Sequence, residues 1–298
     1  MEILAQVQDA LDFIHSVDVS HIDDQLLARR AFYDSLAPLA GQVEAVWQVD
    51  DTMTDTQIKL RIYRPADTPI LPAVVFFHGG GFNSGSLVSH DRPLRQLANS
   101  SGVIIIAVDY RLAPEYPFPG GLNDCMAATR WVFDHATELG IEPLRIGVAG
   151  DSAGGTLATA VGGKIPGLKC QVLIYPAIDP ALDTGSWKAF ANGPVITLER
   201  MRKIWAEYAA GNKQAAPVFE KDLSGMPDTF VIMGEYDPLV DEGKAYAEKL
   251  RQGYVQVTEK VYPKMIHGFF QMGGVMAQGQ AVIKEIAGYL RYKLELIS

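Results

Sequence analysis

Gly150-Asp151-Ser152-Ala153-Gly154 stands between the apolar run RIGVAG and the segment SAGGTLATA. This is a G-x-S-x-G pattern at an expected strand-to-helix junction, the setting that gives the pattern meaning. A sharp turn there holds the serine in a strained conformation, so only small neighbours avoid clashes. Gly150, Ala153, Gly154 and Gly155 satisfy that condition. The helix N-terminus that follows carries partial positive charge, which favours a developing alkoxide. The plainer reading is a serine capping a helix after a glycine turn; the junction favours Ser152 as a nucleophile.

A serine hydroxyl is a weak nucleophile near neutral pH and needs a base oriented by a third group. Six histidines are available. His15 and His21 fall in a helical N-terminus, His135 inside an expected helix, and His90 at the start of another. His78 precedes Ser152, whereas this kind of turn expects the order Ser, acid, His. That leaves His267, in YPKMIHGFF, after the last expected strand. Between the two, VIMGEYDPLVDEG offers Glu235, Asp237 and Asp241. Asp237 lies in a loop ahead of Pro238, which suits the first turn of a helix. It is the first choice for the acid, although a helix N-cap is its plainer role. Asp241, one turn into the helix and expected to face solvent or a loop, is the second.

Acyl transfer also needs donors aimed at an oxyanion. VVFFHGGGFNSGS, residues 74–86, ends a short apolar run on a histidine and three glycines. Glycine loses more backbone freedom on folding than any other residue, and a tight loop is the default reading of such a cluster. Beside a nucleophile, the triplet reads as a place where substrate approaches the backbone. Gly79 and Gly80 are the expected donors, together with the N–H of Ala153, and His78 braces the loop.

The elements that must position these groups alternate. Apolar spacing at Ile3, Leu4, Val7, Leu11 and Ile14 predicts a helix over EILAQVQDALDFI, and DDQLLARRAFYDSLA predicts a second. AVWQV and IKLRIYRP alternate as strands do. Strands AVVFFH, GVIIIAVDY, RIGVAG, CQVLIYP, TFVIMGE and VQVTEKVYP then take turns with helices. One of these helices runs over LNDCMAATRWVFDHATELG, with Gly140 as its C-cap; the last runs from about Gln280 to Leu296. Continuous apolar strands alternating with helices indicate a mostly parallel sheet covered on both faces. Residues from about 180 to 217 break the rhythm with a loop and an amphipathic helix, TLERMRKIWAEYAAG, whose Met201, Ile204, Trp205 and Tyr208 share a face. The expected organisation is a helical cap from residues 1–45 and 180–216 over a catalytic core of 46–179 and 217–298. Phe82, Trp205 and Tyr208 are the expected substrate contacts.

The 298 residues are enough for one large domain, and a formal net charge of -9 argues against nucleic acid or an anionic membrane as partner. The two cysteines, Cys125 and Cys170, suggest neither a disulfide scaffold nor a metal site. The N-terminus does not read as a signal peptide, and no apolar run approaches the roughly 20 residues needed to span a bilayer. The expectation is a cytoplasmic protein, monomer or homodimer, acting on a small molecule.

FFHGGGF, DYRLAPEYPFP, GDSAGG, EYDPLVDEG and HGF occur in this order and at spacings by which the chain strongly resembles the hormone-sensitive-lipase-like carboxylesterases of bacteria. The resemblance is close over about residues 70–180 and 217–275. It implies an α/β-hydrolase fold with an α-helical cap, no cofactor and no metal, and esters of short acyl chains as substrates. In DYRLAPEYPFP, Arg111, Pro114 and Glu115 are expected to brace loops near the glycine triplet. The connection NKQAAPVFEKDLSGMP is shorter than the family's usual one. An amidase or arylformamidase using the same residues, or a non-catalytic small-molecule receptor, are the alternatives.

Overall fold

The computed structural model describes residues 4–295; the expected helix ends at Glu2 and Leu296 lie outside them. In chain order the helices are α1 (Ala5–Ser16), α2 (Gln25–Asp34), α3 (Asp91–Ser101), α4 (Gly120–Asp134), α5 (Ala153–Gly162), α6 (Gly185–Ala189), α7 (Leu198–Ala209), α8 (Val240–Gln252) and α9 (Ala277–Lys293). The strands are β1 (Gln48–Met53), β2 (Lys59–Arg64), β3 (Leu71–Phe77), β4 (Ile104–Asp109), β5 (Ile141–Asp151), β6 (Cys170–Ile174), β7 (Asp228–Gly234) and β8 (Val257–Tyr262). They form an 8-stranded sheet in the order β1-β2-β4-β3-β5-β6-β7-β8. The first two joins are antiparallel and the rest parallel.

Successive side chains of a strand point to opposite faces, and the core divides accordingly. Val75 and Phe77 of β3, with Ile104, Ile106 and Val108 of β4, pack against α4, α5 and α8. Val74 and Phe76, with Ile105 and Ala107, pack against α1, α3 and α9. Both faces are covered, which is why these strands read as unbroken apolar runs. The helix expected to reach Gly140 stops at Asp134. Gly140 instead takes a left-handed φ of 61° where the Leu71 N–H meets its carbonyl, at the entry to β3.

The two expected cap segments are placed differently. The buried face of α1 (Val7, Ala10, Leu11, Ile14) joins the α3/α9 side of the core. Met201, Ile204, Trp205 and Tyr208 of α7 join the other cluster. An ion pair between Arg29 and Glu207, 3.1 Å, ties α2 to α7.

Candidate active site

The carboxyl ends of parallel strands are where an open α/β sheet collects functional loops. Here β3 ends at the glycine triplet, β5 at Ser152, β7 just before Asp237 and β8 just before His267. Because β3 neighbours β5 and β7 neighbours β8, residues far apart in sequence arrive at one edge.

Ser152 has φ 54° and ψ -119°, a conformation a side chain rarely adopts. It is held there by its N–H, which donates to the Ile174 carbonyl at 2.8 Å, and by glycines on either side. A Cβ on Gly154 would collide with the Phe77 carbonyl, and one on Gly150 with the Gly154 carbonyl. His267 Nε2 lies 3.0 Å from Ser152 Oγ, and His267 Nδ1 lies 2.7 Å from Asp237 Oδ2. Asp237 is fully buried and His267 nearly so. The carboxylate can only accept, so Nδ1 carries the proton and Nε2 is free to accept from the hydroxyl. The Tyr175 ring, 4.6 Å from the imidazole, packs beside it. Asp237 also serves the helix behind it: its Oδ1 accepts the Leu239 N–H at 2.9 Å.

Asp241 is elsewhere. It is half-buried, and its Oδ2 accepts the Ser186 N–H at 2.7 Å, which fastens α6 to α8; His267 pairs with Asp237 instead. Glu235 accepts the Lys264 N–H.

The glycine triplet corrects one assignment. The Gly79 N–H donates to Asp151 Oδ1 at 2.8 Å and is thereby unavailable to an oxyanion. Gly80, Gly81 and Ala153 line the cavity that holds Ser152, and Gly79 does not. Gly80 and Gly81 have φ of 119° and 63°, and this left-handed stretch turns the backbone past Gly79. Gly81, which sequence reasoning passed over, lies on the cavity side of this turn. Asp151 Oδ1 also lies 2.9 Å from His90 Nε2, and His90 Nδ1 lies 2.9 Å from Ser89 Oγ. His90 therefore does more than open α3. His78 does brace the loop: its ring stacks on Tyr110 at 4.3 Å, and its carbonyl accepts the Tyr110 hydroxyl at 2.6 Å. Burial, reinforced by the neighbouring His90, pushes the His78 pKa down to about 3, so it stays neutral.

The cavity has a volume of about 210 Å³. Its walls come from α1 and α2 (Ile14, Phe32, Tyr33), from the glycine loop and Phe82, and from the approach to α7 and its first turns (Ile196, Met201, Ile204). Trp205 and Tyr208 are not among the lining residues. They pack behind Phe82, whose ring stacks on Tyr208 at 3.6 Å and lies 5.6 Å from Trp205. The shared helical face pointed them inward, but Phe82 stands between them and the cavity. Ile204 covers Gly81 closely: its Cδ1 would be 2.8 Å from a Cβ there. Of the motif DYRLAPEYPFP, Glu115 accepts a two-pronged contact from Arg30, whose Nε reaches the Asn83 carbonyl at 3.1 Å. Arg111 grips Asp124 of α4 instead of the glycine loop. Among the described residues, no group of three or more His, Cys, Asp or Glu side chains could hold a metal ion, and no helix is long and apolar enough to cross a membrane.

A hydroxyl on a strained strand-to-helix turn, a buried His–Asp pair behind it and backbone N–H groups in front form the geometry of an acyl-transfer centre. The family model of the alpha/beta hydrolase fold matches residues 74–271, which contain all of it. The chain belongs to the alpha/beta hydrolase family. Within that family it falls in the hormone-sensitive-lipase-like branch. The hydrolase is 39% identical over 256 residues to carboxylesterase NlhH of Mycobacterium tuberculosis, covering 79% of each chain. It is 34% identical to the ethyl acetate hydrolase of Pseudomonas putida, over 84% of this chain and 85% of that one. Its fold is similar to the hyperthermophilic esterase of the archaeon Pyrobaculum calidifontis, with a TM-score of 0.88, 34% identity, and coverage of 98% and 99% of the two chains.

Proposed function

We propose that this hydrolase is a serine carboxylesterase that cleaves short- to medium-chain acyl esters through an acyl-enzyme. Its class, carboxylic ester hydrolase, rests on the carboxylesterase relatives. The mechanism rests on one observation, the continuous hydrogen-bonded chain Ser152–His267–Asp237 opening into an apolar cavity. His267 takes the Ser152 proton as Oγ attacks the ester carbonyl, and Asp237 steadies the imidazolium that forms. The N–H groups of Gly80, Gly81 and Ala153 receive the oxyanion. His267 then protonates the leaving alcohol, and a water activated by the same base releases the acid. No step calls for a cofactor.

The small cavity supports short acyl groups. The same residues would serve an amide, so the test is a matched pair of p-nitrophenyl butyrate and the corresponding anilide. The expected result is turnover of the ester at least a hundredfold faster, abolished by Ser152→Ala. Faster anilide cleavage would make the protein an amidase, and specific ligand binding without turnover would make it a receptor.

A further inference from the structure

The cavity is lined by apolar side chains, by the groups assigned to the reaction, by the polar side chains of His15, Tyr33 and Gln271, and by one permanently cationic side chain, Arg200. Arg200 stands in the first turn of α7, where its side chain is exposed to solvent and borders the cavity. It also borders an adjoining groove of about 310 Å³ with Arg29, Asn83 and Lys203. Its neighbours are already paired among themselves. Glu207 accepts from Arg29 at 3.1 Å and from Asn83 at 2.7 Å, and lies 3.9 Å from Lys203. Among the described residues, the Arg200 guanidinium has no ion pair and no hydrogen bond; Glu199, beside it in the groove, is not paired with it. The strongest influences on it are desolvation, which lowers its pKa, the like charge of Arg29, which lowers it further, and the Tyr33 phenol, which raises it. No carboxylate is among them. A guanidinium at the cavity's edge stays charged and presents its fork of donors to whatever enters.

We propose that Arg200 recognises a carboxylate carried by the substrate, so that the preferred ester is anionic: a half-ester of a dicarboxylic acid or an acylated hydroxy acid. This deepens the esterase reading and rests on it. The net charge of -9 opposes an anion only at long range. At physiological ionic strength charges beyond about 8 Å are largely screened, so the cation at the cavity's edge dominates locally. A guanidinium–carboxylate pair with parallel hydrogen bonds also fixes orientation, and so sets the distance between the carboxylate and the scissile carbonyl.

The test uses two pairs that differ only in charge. Monoethyl glutarate against its terminal amide, ethyl 4-carbamoylbutanoate, places the carboxylate on the acyl side. O-butyryl glycolate against O-butyryl glycolamide places it on the alcohol side. In each pair the neutral member divides out any general damage to the site. The full-length enzyme should favour the carboxylate member of one pair by about tenfold in kcat/KM, a typical effect for a charge-assisted contact that remains partly hydrated. Arg200→Met should bring that ratio to about one, Arg200→Lys should keep part of it, and about 1 M salt should shrink it. Equal use of both members by the unaltered enzyme, or a ratio unchanged in Arg200→Met, overturns the proposal. Failure to turn over any of the four would count against the esterase reading alone, because binding gives a separate readout. Glutarate titrated calorimetrically into Ser152→Ala should bind about tenfold more tightly than into Ser152→Ala/Arg200→Met. Equal affinities overturn the proposal.

Discussion

The Gly79 N–H points at the carboxylate of Asp151, 2.8 Å away, one residue before Ser152. A single side chain therefore couples the glycine loop to the turn that carries Ser152. His90 contacts the same oxygen from α3 at 2.9 Å, and Asp151 is nearly fully buried. Asp151→Ala removes the oxygen on which the two contacts now converge. It should lower kcat about tenfold or more while changing KM little, since the misplaced groups act on the oxyanion and not on the bound ester. Steady-state kinetics on a short-chain ester checks this; an unchanged kcat would mean that the loop holds its position without the carboxylate.

The reacting residues should behave as a unit. Ser152→Ala and His267→Ala should each lower kcat by several orders of magnitude, and the double variant should be little worse than either. Asp237→Asn should lower kcat by about 10⁴-fold, because an amide there favours the wrong imidazole tautomer. Asp241→Asn, whose effect falls on the contact to Ser186, should retain kcat within a few-fold. The reverse ranking of the two acids would contradict the geometry.

Much of this site was legible because chain order and local composition carry it. The small residues around Ser152, the order Ser, Asp, His, and the loop positions after separate strands are all sequence facts. Other features depend on strand order and backbone angles. Gly79 and Gly81 look alike in HGGG; only the φ values of Gly80 and Gly81, and capture of the Gly79 N–H by Asp151, separate them. The Asp151–His90 pair spans 61 positions and exists because β3 lies beside β5. The buried face of α7 was readable from its spacing, but not that Phe82 would stand between its aromatic rings and the cavity. Nothing in the composition of TLERMRKIW marked Arg200 as the cation that borders the cavity.

The cavity should limit the acyl chain, and Ile204 and Met201 set part of that limit. Each buried methylene is worth roughly 0.8 kcal/mol, so kcat/KM should rise about fourfold per carbon while space lasts, then fall. Ile204→Ala removes the side chain that covers Gly81, and Met201→Ala shortens a neighbouring wall. Each should move the optimum of a p-nitrophenyl ester series toward longer chains. An optimum that stays put in both variants would place the limiting wall elsewhere.

Acid should destabilise the fold partly through His78. Its ordinary pKa is 6.5 and burial lowers it to about 3 in the folded chain. The unfolded chain therefore binds a proton that the folded chain refuses as pH falls below 6.5, and this stabilising contribution is lost progressively down to about 3. Thermal unfolding of His78→Asn should show a shallower fall of Tm between pH 6.5 and 4 than the unaltered protein, whatever the offset in absolute Tm. Parallel Tm profiles would exclude His78 as a contributor.

The account turns on Ser152 being the atom that bonds to the acyl group. An activated fluorophosphonate reacts with a serine only where base and oxyanion donors have made it nucleophilic, so labelling followed by peptide mass mapping reads the centre directly. One label per chain is expected, on the peptide carrying Ser152, with activity lost in proportion to labelling and no label in Ser152→Ala. Label on another residue, or full activity in a completely labelled protein, would contradict the mechanism.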